Sequence, residues 1–267
     1  MKYSVNYSNK IKLDDFDEII IRYEEQDREL ITFLEDHQAQ EVVLCVREVD
    51  KFIADEHWRL INAIYEKHKN FSVCFYPAQT FSEFSAEELR AIAELHMQWF
   101  TGKLVTTFDQ LNYLLSIGAS QVYLAEDICF DLTRAKRVCS ARQVKIRIFP
   151  NVAQASIQMT PALKKFFLRP EDVEEYSDCV DVIEFWGPLD RQAVLKRIYE
   201  KGRWYGDLKD LILDLNISLD SRRLLNQFGQ VRKACGRKCL KGSSCAICDK
   251  MEALSHKLED AHLLVKH

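Results

Sequence analysis

The chain has 267 residues, 47% apolar and 29% charged, with 8 glycines and 5 prolines. That composition fits a folded globular protein and excludes the disordered and low-complexity classes. The formal net charge of −4 argues against the whole-protein basic field that many nucleic-acid binders carry. No apolar run reaches the ~18 residues of a membrane span, and the start MKYSVNYSNKIKLDDFDE lacks the apolar centre of a secretory signal. A cytoplasmic protein with no membrane partner is therefore expected.

Short apolar, β-branched runs recur in chain order: EIIIRY (18–23), EVVLCV (41–46), FSVCFY (71–76), KLVTTF (103–108), QVYLAE (121–126), VKIRIF (144–149), FFLR (166–169) and DVIEFW (181–186). Amphipathic helical patterns stand between them, among them QDRELITFLEDH, DEHWRLINAIYEKH, AEELRAIAELHMQW and FDQLNYLLSIGA. Such alternation implies parallel strands joined by crossover helices. Eight strands at this spacing predict an α/β fold, a (β/α)8 TIM-like barrel over residues 1–202. An open doubly wound sheet is the alternative, but no G-x-G-x-x-G follows the early strands to support a dinucleotide site. Residues 203–267 read as a helical extension carrying a four-cysteine metal site.

Strand side chains alternate in facing. With the apolar set turned toward the helices, the polar set faces the barrel interior. In VKIRIFPN this sends Lys145, Arg147, Phe149 and Asn151 inward; in DVIEFW it sends Glu184 and Trp186 inward. The same rule places Arg22, Glu24 and Arg47 inside, Arg169 at the mouth, and Glu126 there as well, with Asp127 as competitor. Barrel active sites lie at the C-terminal ends of the strands, and guanidinium groups bind carboxylate or phosphate through paired hydrogen bonds. Glu184 and Glu126 are thus the acid–base candidates. Arg22, Arg47, Arg147, Arg169, Asn151 and Trp186 are the candidates for an anionic ligand. The contrary reading is that these charges simply pair with one another.

Nine cysteines in a chain expected in a reducing compartment require a reason. Cys45, Cys74, Cys129, Cys139 and Cys179 stand in apolar or helical contexts and read as small buried apolar residues. Cys235, Cys239, Cys245 and Cys248 form C-x3-C-x5-C-x2-C, with Gly236, Gly242, Ser243 and Ser244 supplying the bends. Thiolates select zinc and iron–sulfur clusters. The C-x2-C pair suits either; the wider first gap is tolerated by a four-iron–four-sulfur site, so both metals stay open. From Arg232 to Lys250 six basic residues face one acidic residue. That basic segment could contact nucleic acid or a protein partner. The histidines show no H-E-x-x-H spacing, and no G-x-S-x-G or Walker sequence occurs.

The stretches FFLRPEDVEEYSDCVDVIEFWG, from Arg169 through Glu184, and GASQVYLAEDICF, with Gly118 and Tyr123, resemble the collagenase-like peptidase family. The resemblance covers about 70 residues. It implies a barrel-type core, and chemistry such as the hydroxylation of RNA or quinone precursors, in some members with a four-cysteine iron–sulfur cluster. The chain departs from the family pattern at Glu126, where glycine is usual, in having its cysteines in one run, and in lacking an H-G-A-x-C segment. The expected function is a metalloenzyme that modifies an anionic small molecule or a nucleic acid. The alternative is a binding or adaptor protein that acts through its basic, zinc-bound tail.

Overall fold

The structure, a computed structural model, describes residues 1–6, 16–23, 28–36, 41–54, 57–151, 167–213, 220–224, 226–235 and 247–248. Eight parallel strands close into a barrel in chain order: β1 (Lys2–Asn6), β2 (Glu18–Arg22), β3 (Glu41–Val46), β4 (Phe71–Thr80), β5 (Trp99–Val105), β6 (Gln121–Leu124), β7 (Lys145–Ile148) and β8 (Val182–Glu184). The last strand pairs back to the first. The helices are α1 (Arg28–Asp36), α2 (Val49–Ala54), α3 (His57–His68), α4 (Ala86–Ala93), α5 (Phe108–Ser116), α6 (Glu126–Cys129), α7 (Leu132–Ser140), α8 (Val173–Tyr176), α9 (Leu189–Glu200) and α10 (Phe228–Cys235). Among the described residues no helix is long and apolar enough to cross a membrane. The chain divides into two compact units. One comprises Met1–Leu124, Val138–Arg147 and Asp181–Glu184; the other comprises Ala125–Arg137, Ile148–Val180 and Phe185–His267.

The first unit holds the strand system. Its outer core is aromatic: Phe52 of α2 meets Phe75 of β4 edge-on at 6.4 Å, and Tyr65 of α3 meets Phe71 at 5.2 Å. Helix starts are written into the sequence. Ser85 and Glu88 form a reciprocal capping box for α4, and Thr107 and Gln110 do the same for α5, satisfying amides that would otherwise lack acceptors. At the strand N-termini, Glu41 of β3 pairs with Lys2 of β1 and Lys145 of β7. Above β4, Lys103 places its ammonium 4.1 Å from the Phe84 ring centroid and 4.7 Å from that of Tyr76, and donates to the Ser82 carbonyl. Burial pushes this amine below its ordinary value, against the pull of Glu88.

The barrel agrees with the sequence expectation, but two of its strands were misplaced. The first strand is KYSVN, which an apolar-run criterion passes over because its Ser4 faces a polar interior. The expected strand at 166–169 is absent from residues 167–169, which carry no regular structure. The Leu168 amide bonds to the Pro150 carbonyl, and its own carbonyl accepts from the Tyr199 hydroxyl, so the Leu168 backbone is engaged outside the barrel's strand pairing. Pro170 then holds Arg169 extended and opens a 3-10 turn over Pro170–Asp172. Likewise β5 begins at Trp99, earlier than the expected 103–108, because Thr107 already caps α5. The strand expected to run through Glu126 stops at Leu124, and Glu126 instead opens α6.

In the second unit the cationic residues are packed on rings. The Arg232 guanidinium lies 4.9–5.2 Å from the centroids of Phe228, Phe130 and Phe167. Arg169 grips both carboxylate oxygens of Asp172 at 2.7 and 2.8 Å, and Asp172 also accepts from the Gly229 amide at 3.0 Å. Removing the carboxylate strands a buried guanidinium, which typically costs about 3–5 kcal/mol. Asp172→Ala should therefore lower the urea unfolding midpoint of this unit sharply. Asp172→Asn, which keeps an acceptor for Gly229, should lower it less. Equal midpoints for wild type and Asp172→Ala would refute this role.

Candidate functional site

Inside the barrel, register and alternation bring one charged group from β7 against partners from four other strands. Ser4 is level with Glu18 of β2 and with Glu184 of β8, and Arg147 is level with Tyr123 of β6. The Arg147 side chain is fully buried, those of Glu18 and Glu184 nearly so. Its two terminal nitrogens take Glu18 bidentately, at 2.6 and 3.0 Å. They also donate to the Gln121 side-chain oxygen at 2.9 Å, to Ser4 Oγ at 3.3 Å and to Glu184 Oε2 at 3.2 Å. The guanidinium lies 5.1 Å from the centroids of the Phe100 and Tyr123 rings. Its Nε–H has no hydrogen-bond acceptor among the described residues, so the ring faces supply the only compensation there.

The two carboxylates are held differently. Glu18 receives the paired hydrogen bonds. Glu184 receives a single guanidinium contact, plus a hydrogen bond donated by the Tyr123 hydroxyl to the same oxygen. Desolvation pushes the Glu184 carboxyl above the ordinary value of 4.5; the Arg147 charge and the Tyr123 hydrogen bond oppose this, and the Glu18 charge adds to it. Burial likewise pushes the Tyr123 phenol well above its usual range, with Arg147 opposing. Glu184 keeps 8% of its surface exposed. This arrangement can hold a proton on the Glu184 carboxyl group.

The other sequence candidates are placed as follows. Arg22 ends β2 on the same face as Glu18 and is exposed; Arg47 is exposed just after β3. Register sets Arg22 level with Cys45, so the two arginines stand on neighbouring strands at the C-terminal end. Arg169 is not at a strand end, as expected, but is buried against Asp172. Asn151 is buried and clamps the Trp186 backbone, donating to its carbonyl at 2.7 Å and accepting from its amide at 2.9 Å. Trp186, expected to face inward, is 43% exposed and packs edge-on against Phe149 at 5.4 Å. The side chains of Glu126 and Asp127, and all of Glu24, lie outside the described residues, as do Cys239 and Cys245. Cys235 at the end of α10 and Cys248 are half-buried. No group of three or more metal-ligating side chains occurs among the described residues. Sequence reasoning missed Glu18, Gln121 and Tyr123. Glu18 shares its face with Arg22, so alternation counted back from Arg22 would have found it.

No protein-family model matches the chain. No curated protein matches it either. Among solved structures it is similar to N-acetylneuraminate lyase from Mycoplasma synoviae, at 9% identity over 70% of this chain and 63% of that one, with a TM-score of 0.41. It is similar to a native KDPGal structure at 11% identity over 75% and 92% of the chains, TM-score 0.41. A cube-shaped porous cage designed by fusing symmetric oligomeric domains matches at 10% identity over 75% and 70%, TM-score 0.41.

Two outcomes follow from the interior cluster. Arg147→Met leaves Glu18 buried without its charge partner and should cost about 3–5 kcal/mol. Adding Glu18→Gln to it should restore part of that loss, as read from urea unfolding of both variants. For Glu184, the folded-state pKa lies above the unfolded one, so the folded protein binds the proton more tightly. Its contribution to stability is complete below about 4.5 and declines as pH rises through the folded-state value. Wild type should therefore lose stability relative to Glu184→Gln as the pH is raised from about 4.5 toward neutrality. A constant difference across that range would show that Glu184 is not held neutral by burial.

Proposed function

We propose that the barrel is the catalytic body of an enzyme acting on an anionic small molecule, with Glu184 as its acid–base group. The observation that carries this reading is a carboxyl raised by burial, hydrogen-bonded by Tyr123 and Arg147, and still partly open. General acids at neutral pH are commonly carboxyls raised in this way. Arg22 and Arg47 supply the guanidinium groups for the anion, since both are exposed at the C-terminal ends of adjacent strands, where barrel enzymes bind their substrates. Arg147 acts as a positioning residue that orients Glu184.

The four-cysteine run is read as a thiolate-bound metal centre, a four-iron–four-sulfur cluster or a zinc ion, held by Cys235, Cys239, Cys245 and Cys248. A cluster would add electron transfer and a redox-type modification, such as hydroxylation of the bound molecule. Zinc would tie down the tail and leave acid–base chemistry to the barrel. The half-buried positions of Cys235 and Cys248 and the flanking basic residues, which favour thiolate, support a metal in this segment.

The experiment begins with protein purified without oxygen, assayed for metal and absorbance. Brown protein with about four irons per chain supports the redox version; colourless protein with one zinc removes it. Well-folded protein with neither metal rejects the metal centre. Carboxylate- and phosphate-bearing small molecules are then screened by thermal shift against wild type and Arg22→Met/Arg47→Met. A stabilising anion should lose its effect in the double variant. Once turnover of that molecule is found, Glu184→Gln should lower kcat by about 10²–10⁴-fold with an unchanged far-ultraviolet spectrum. Activity within threefold of wild type would sink the acid–base assignment.

A further inference from the structure

Cys45 on β3 and Cys74 on β4 are direct register partners on neighbouring parallel strands. Partner residues on adjacent strands stand about 4.8 Å apart, inside the Cα separation of about 4.4–6.8 Å that a disulfide requires. The two thiols lie within hydrogen-bond reach of each other. Both are buried, Cys45 at 7% exposure and Cys74 at 1%. Both turn to the barrel interior, since Cys74 feels the charges of Arg147 and Glu184, and Tyr123 lies within electrostatic reach of both thiols. Both are reduced in this structure. The other buried cysteines of the described residues, Cys129, Cys139 and Cys179, stand outside the strands.

We propose that Cys45 and Cys74 form a dithiol–disulfide couple in the barrel interior, a site of reversible oxidation by a peroxide or a disulfide-exchanging thiol oxidant. With hydrogen peroxide the couple loses two electrons and two protons. The S–H bonds break, one S–S bond forms, the peroxide O–O bond breaks, and two waters leave. The residual exposure of Cys45 makes it the entry point for a small oxidant. Level positions on parallel strands hold their Cβ atoms about one strand spacing, ~4.8 Å, apart, wider than the ~3.5–4.5 Å of an unstrained disulfide, and strained disulfides are the readily reduced ones. Burial pushes the Cys74 thiol well above its ordinary value, so formation is slow at neutral pH and faster in mild alkali. The couple adjoins the Tyr123–Glu184–Arg147 group but does not depend on the catalytic reading of that group.

The test is peptide mapping of the native full-length protein. Folded wild type is treated with diamide or hydrogen peroxide, its remaining thiols are alkylated, and the digest is read by mass spectrometry. A joined peptide containing Cys45 and Cys74, two hydrogens lighter than the sum of its parts and reverted by dithiothreitol, is the expected result. It should appear in most of the protein and vanish in Cys45→Ser and in Cys74→Ser. If both peptides stay fully alkylatable after oxidation, or carry only separate sulfinic or sulfonic acids, the couple does not exist. If the joined peptide appears only when the protein is oxidised in denaturant, the native geometry does not support it and the proposal fails. The wild-type map decides the question even if a serine variant folds poorly. Because the readout is a covalent bond and not turnover, inactivity of Glu184 variants or the lack of a substrate leaves the result intact.

Discussion

A fully buried guanidinium must be neutralised where it stands, and much of the barrel interior is arranged around that need. Arg147 draws oxygen atoms from β1, β2, β6 and β8. Each acceptor residue faces inward only in the observed register. Shifting any of these strands by one residue would turn its polar group to the outer layer and replace it with an apolar one. The ion cluster therefore contributes to register specificity, whatever its net contribution to stability, which for buried pairs is often small.

The same arginine makes its two carboxylates unequal. Glu18 takes the fork of the guanidinium and so completes a local neutral pair. Glu184 then faces a partner already engaged, in a site with little water and with the Glu18 charge nearby. Desolvation prevails there, and the group is driven toward its protonated form. Two acids of one type acquire different chemistry from geometry alone, the general way in which proteins separate acid and base roles. Tyr123 sharpens the difference by donating to the oxygen that Arg147 also contacts.

Much of this was legible before the structure, for a definable reason. Arg147 and Glu184 each stand between apolar neighbours in a short strand, where a charge is costly unless satisfied, so alternation singled them out. Gln121 and Tyr123 carry no such warning, since neutral polar side chains on a strand are common on either face. Lys2–Asn6 was passed over because the search sought apolar runs, and a strand facing a polar interior shows alternation instead. FFLR (166–169) was taken as a strand because it is a short, mostly apolar run, and residues 167–169 are indeed buried. Burial of side chains does not reveal whether the backbone joins a ladder, and here the Leu168 backbone bonds elsewhere.

The arginines show why composition at a barrel mouth is a poor guide to ligand binding. Four were expected to converge, but they occupy two kinds of environment. Arg147 and Arg169 each hold a buried carboxylate bidentately. A ligand anion competing for either would have to displace that carboxylate and leave it buried without its cation, a loss of several kcal/mol. Arg22 and Arg47 are exposed and carry no such obstacle. Solvent weakens each single contact they can make, so affinity has to come from both acting on one anion. Register sets Arg22 level with Cys45, two residues before Arg47, so the two stand on neighbouring strands.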